Sequence, residues 1–109
     1  MRPDVENATA RIVAIRARLS GGPGGDVSES ENEDALSEGY ARALAGDAWL
    51  ARTEQRLHEI IDDTTIPVRG RDLRMLVRDH AEVQRHVIAL RRELEGLRRD
   101  RERSHTRSS

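Results

Sequence analysis

Cysteine, lysine and phenylalanine are all absent from these 109 residues. The missing cysteine excludes a disulfide framework, thiolate zinc sites and thiol nucleophiles together, and leaves the redox compartment open. Tyr40 and Trp49 are the only aromatic residues, 2% of the chain against 36% charged residues. With a mean hydropathy of -0.75, such a chain cannot build a large globular core, and amphipathic stripes must do the burying. No apolar run approaches the ~18 residues of a membrane span, and the opening MRPDVENATARIV lacks the basic-then-apolar order of a secretion signal. The expectation is a soluble cytoplasmic protein with no membrane partner. The absence of lysine makes all 19 basic residues arginine, which codon bias in a GC-rich genome explains as readily as function.

The signatures of catalysis are missing as well. There is no G-x-S-x-G and no serine placed with a histidine and an acid at a recognisable spacing. Gly21-Gly22-Pro23-Gly24-Gly25 has no following lysine and leads into acids that repel phosphate. Glu82 and His86 stand four apart, with His58 on another segment able to approach, but two such residues on one helix arise easily in a chain this acidic. The sequence predicts no enzyme, no metal and no cofactor.

Periodicity is what the chain does have. From Asp72 to Arg103, Leu73, Leu76, His80, Val83, Val87, Leu90, Leu94 and Leu97 alternate at three-four spacing, a coiled-coil seam in which His80 stands as a polar register-setter. In a parallel pair Glu93 of one helix meets Arg98 of the other, which predicts a homo-oligomer, a parallel dimer, formed along this seam. Val77, Ala81 and Ile88 broaden the face. The expectation is that the helix's first half packs on helix 2 and its second half pairs between chains.

Ahead of it, Val5, Ala8, Ile12, Ile15 and Leu19 mark a first helix from about Pro3 to Ser20. Gly21 to Asn32 reads as a flexible acidic loop without a residue to anchor a core. Ser30 and Glu33 have capping-box spacing, so a second helix is expected from about Glu33 to Ile61, where Asp62 and Asp63 disfavour continuation. Its stripe is Leu36, Tyr40, Ala43, Leu50, Leu57 and Ile61, interrupted by Asp47 and Glu54 and widened by Leu44, Ala48, Ala51 and Ile60. Gly39 and Gly46 are seven apart, read equally as a close-packing device or as tolerated. The fold class is therefore all-α and coiled-coil-like: an antiparallel helical hairpin over 1–63, a connector over 64–70, a long heptad-patterned helix over 71–103 and a disordered tail over 104–109.

Charge is polarised along this plan, with thirteen acids against seven arginines up to Ile66 and seven acids against twelve arginines from Pro67 onward. Arg98, Arg99, Arg101 and Arg103 are the candidates for an alternative, nucleic-acid-binding role. Glu93, Glu95, Asp100 and Glu102 interleave with them, however, and pairs at helical spacing neutralise one another.

Gly25-Asp26-Val27-Ser28-Glu29-Ser30 resembles the Gly-Asp-Leu-Ser-Glu-Asn tip of the Gre-type transcript cleavage factors, which insert a helical hairpin into bacterial RNA polymerase. The resemblance covers about Asp26 to Ile61, and helix 3 stands where that family has a globular domain. It implies RNA polymerase or another protein as partner, and Asp26 and Glu29, with Glu31 beside them, as the partner-binding acids that would help hold the polymerase's magnesium. Together these readings predict a non-enzymatic, oligomeric coiled-coil interaction protein, an accessory factor of transcription machinery, with a purely structural assembly adaptor as the alternative.

Overall fold

A computed structural model describes residues 2–21, 26–63 and 70–108, with side chains as far as Arg103. Three helices, α1 (Glu6–Leu19), α2 (Glu29–Asp62) and α3 (Gly70–Ser108), account for it, with no strand among the described residues. Arg2 pairs with Asp79 and Arg16 with Asp100, so α1 runs parallel to α3. Arg11 pairs with Glu38 and Arg18 with Glu31, so α1 is antiparallel to α2. The result is an antiparallel hairpin with the long third helix folded back along it.

Local chemistry sets the ends. The Asp4 carboxylate accepts the Asn7 backbone N–H at 3.3 Å and opens α1. Gly21, at φ 87°, closes it by donating to the Arg18 carbonyl at 3.0 Å, a left-handed conformation that glycine adopts without strain. The second helix begins at Glu29, four residues before the expected Glu33. Ser28, whose hydroxyl accepts the Glu31 N–H at 3.1 Å, is the cap, because Ser28 and Glu31 have the same spacing as Ser30 and Glu33 and lie closer to the break. The expected loop is shorter for that reason. Val27 packs against the core and Asn32 is 6% exposed, so the segment does carry residues that anchor it. At the other end, the span over 104–108 is helical, contrary to the expected disordered tail, since nothing after Gly96 breaks the helix. The connector over 64–69 lies outside the described residues.

The core is one cluster built from all three helices: Val5, Ala8, Ile12 and Ile15 of the first segment, Ala35, Leu36 and Ala43 of α2, and Val83, Val87, Leu90, Leu94 and Leu97 of α3. The second half of the seam, expected to pair between chains, packs within the chain here. Leu90, Leu94 and Leu97 are completely buried inside a single chain, because α1 and α2 together cover the second half of the seam. Its first half behaves differently: Leu73, Leu76 and His80 are half-buried beside α2 alone.

The line of α2 that faces α3 is Asn32, Gly39, Gly46 and Thr53, all buried and seven residues apart. A Cβ at Gly39 would lie 2.5 Å from Leu94 Cδ2, and one at Gly46 the same distance from Val87 Cγ2. The glycines are the holes into which α3 fits its leucine and valine, which resolves their role as packing. Ion pairs with α1 hold one edge, and α1 stops well short of the full bundle. Beyond Trp49 on α2 and before His80 on α3 the molecule is a two-helix arm, giving extents of 65 × 21 × 16 Å and a radius of gyration of 18.4 Å, against about 13 Å for a compact chain of this length.

Gly46→Leu is expected to lower the stability by about 1–3 kcal/mol or more through overpacking, and so to lower Tm by several degrees. Gly70→Ala, where nothing lies within 4 Å of an added Cβ, should leave the circular dichroism melt unchanged. Leu90→Asp places a charge in the middle of the core and should abolish cooperative melting altogether, whereas a folded monomeric variant would mean that Leu90 pairs between chains.

Candidate functional site

Each element contributes charge to α3, and where that charge lands decides which surfaces stay free. Arg16 lies across α3 over Gly96, where a Cβ would come within 2.5 Å of its guanidinium carbon. It donates to Asp100 at 2.8 Å and to Glu93 at 2.7 Å. These bonds raise the Arg16 pKa above its ordinary value, Asp100 most of all. Arg2 takes Glu82 at 3.1 Å and Asp79 at 3.4 Å. So Arg2, ahead of α1, and Arg16 on α1 draw four acids of α3 toward the first segment.

The expected partner-binding acids sit at the end of this bundle beside α3, not on a projecting two-helix tip. Glu29 is held by Arg101 at 2.6 Å and Glu31 by Arg18 at 3.2 Å, and hydrogen bonding to Glu29 raises the Arg101 pKa. Asp26 is exposed, and its backbone carbonyl accepts from Arg18 at 2.7 Å. Of the four arginines proposed for nucleic acid, Arg101 is thus committed to the chain's own acids. Arg98 lines an open groove of roughly 530 Å³ with Leu36, Tyr40, Arg101 and Glu102, while Arg99 and Arg103 are exposed. The three residues of the metal-like constellation do not converge: Glu82 binds Arg2, His86 Nε2 lies 3.2 Å from Glu6, and His58 is exposed. Among the described residues no three His, Asp or Glu side chains gather to hold a metal. His80, the register position, places Nε2 3.0 Å from Glu54.

A second surface emerges from the other edge of α3. The pairs that join α2 directly to α3, which are Glu54 with His80, Asp47 with Arg91, and Glu29 and Glu33 with Arg101, involve none of the residues that α1 engages. They run along the flank that α1 leaves open. Gly39 opposite Leu94 and Gly46 opposite Val87 set a register that puts Leu44 level with Ala89. Leu44 is 65%, Ile88 53% and Val77 51% exposed, with Tyr40 at 37%. Helical spacing places all four on this flank. Leu44, Val77 and Ile88 are residues that widened the stripes of helices 2 and 3, and Tyr40 belongs to the stripe of helix 2 itself. The core needs the narrow stripe and leaves the widening in water.

Comparison with protein-family models, with curated proteins and with solved structures finds no match. Among the described residues no helix is long and apolar enough to cross a membrane.

Arg16→Gln is expected to cost about 1 kcal/mol in a urea titration, the upper range for partly exposed pairs. Arg11→Gln should cost less, since its pair with Glu38 is exposed on both sides. Equal effects would mean that the bridge over Gly96 adds nothing beyond a surface pair.

Proposed function

We propose that this chain is a non-catalytic, all-helical interaction protein that dimerises along the open α2/α3 flank. The observation that carries the reading is the exposure of Leu44, Ile88 and Val77 in one row, an apolar surface with no intrachain purpose. A twofold axis parallel to the helices lays α2 of one protomer on α3 of the other. Glu33, Asp47 and Glu54 already pair with Arg101, Arg91 and His80 of their own chain, so the polar rim of the flank is largely neutralised in place and the apolar row carries the association. Both copies of α3 point the same way in such a pair. The arrangement keeps the parallel association expected from the sequence but moves it from the seam, which the chain fills itself, to the flank.

Light scattering at high micromolar concentration is expected to give a dimer for the wild type. Leu44→Glu with Ile88→Glu should give a monomer with an unchanged circular dichroism spectrum, because neither side chain supports the core. A wild type that is already monomeric under these conditions overturns the reading.

A further inference from the structure

Arg71, Arg78, Arg85, Arg92 and Arg99 recur at every seventh position of α3. All five are exposed. With Leu73, Val87 and Leu94 facing inward, these positions form the outermost line of the helix. Successive arginines are ~10.5 Å apart along the axis, and the row spans ~42 Å at ~1.5 Å per residue. Two of the interleaved acids expected to neutralise this line, Glu93 and Asp100, are drawn away from it, while Glu95 and Glu102 remain on α3 among its arginines. Asp79, Glu82, Glu93 and Asp100 are turned toward Arg2 and Arg16 of the first segment. Among the described residues, Arg78 has one long contact with Glu82 at 3.7 Å, and no salt bridge reaches Arg71, Arg85, Arg92 or Arg99. The outer face of α2 is unlike it: Ser37, Ala41, Ala48, Ala51 and Gln55 are exposed there and uncharged. Asp34, Arg52 and Glu59 are exposed beside them, so α2 carries charge of both signs on its outer side and has no arginine row.

We propose that this arginine row binds the phosphate backbone of duplex nucleic acid without reading its sequence. Guanidinium groups present a planar fork matched to phosphate oxygens, and a straight row of this length crosses the backbone of a duplex several times. An anionic membrane is the poorer match. Helices that lie on bilayers set a broad apolar stripe beside their cations, and α3 spends its stripe on the core, leaving Met75, Val77 and Ile88 as its exposed large apolar residues. Backbone contact of this kind is weak, with dissociation constants on the order of 10–100 μM at physiological salt, and it falls steeply as salt rises. The row adjoins the dimerising flank at Ile88 and shares no arginine with it.

The test is fluorescence anisotropy of a labelled 30-base-pair duplex titrated with the full chain over a range of salt concentrations. The wild type is expected to bind with a log–log salt slope of about -3, the release of roughly three counterions. Arg85→Gln, Arg92→Gln and Arg99→Gln combined should weaken binding at least tenfold at low salt and flatten the slope, with the circular dichroism melt retained. Arg42→Gln, Arg52→Gln and Arg56→Gln combined, the same charge change on α2, should leave binding nearly intact. Absence of duplex binding by the wild type, equal loss in both triple variants, or binding to phosphatidylglycerol vesicles in place of the duplex would each overturn the proposal. Leu44→Glu alone, which disrupts the flank from α2 and adds no acid beside the row, should still bind the duplex, which separates failure of this inference from failure of the dimer.

Discussion

Everything in this fold follows from how closely α2 and α3 approach one another at Gly39 and Gly46. Where Leu94 and Val87 enter those two positions, the helices come near enough for Ala35, Leu36 and Ala43 to complete a core with no phenylalanine in it. Substituting contact for bulk in this way suits a chain that has few large side chains to bury: dispersion contacts accumulate with close approach as they do with area. The same approach fixes the register, and the register sets Glu54 beside His80 and Asp47 beside Arg91. It also leaves α1 a shallow groove on one side only. Ile12 and Ile15 fill it, and Arg16 crosses α3 where Gly96 leaves room.

Glycine used in this way is invisible to a hydrophobic pattern, and that accounts for most of what the sequence did and did not disclose. The three helices, the inward residues of α1 and the seam of α3 were legible because leucine, isoleucine and valine announce a face by their spacing. On α2 the apolar residues announced a stripe that is only partly buried. Tyr40 and Ile61 are exposed, while Asn32, Gly39, Gly46 and Thr53 are inside. A line of small and polar residues adds nothing to an apolar periodicity, though their common spacing of seven was there to be read. The position of α2's cap was a choice between two identical spacings. The intrachain use of the seam was not legible either, since a heptad pattern serves a neighbouring helix of the same chain as well as one from another.

The surfaces were less legible than the fold because they depend on which charges are already taken. The acids at the start of α2 read as free, and Glu29 and Glu31 are held by Arg101 and Arg18. The arginines of α3 read as neutralised by their neighbours, yet four of the neighbouring acids, Asp79, Glu82, Glu93 and Asp100, pair with Arg2 and Arg16 from across the bundle. Pairing at three or four residues along one helix contributes a few tenths of a kcal/mol, little enough for an arginine on another helix, placed over a glycine, to win. Only the tertiary arrangement decides such a contest.

The shortness of α1 divides the molecule mechanically. Its 14 residues lie against helices of 34 and 39, so the half containing Leu90, Leu94 and Leu97 is three helices thick, and the half containing Leu57, Leu73 and Leu76 is two. Opening the thin half exposes half-buried side chains and the single buried Thr53, and leaves the thick half's core untouched. Amide protons over 54–62 and 70–79 should therefore exchange with solvent through excursions far smaller than global unfolding, and the arm can splay or close on a lever anchored by the rigid half.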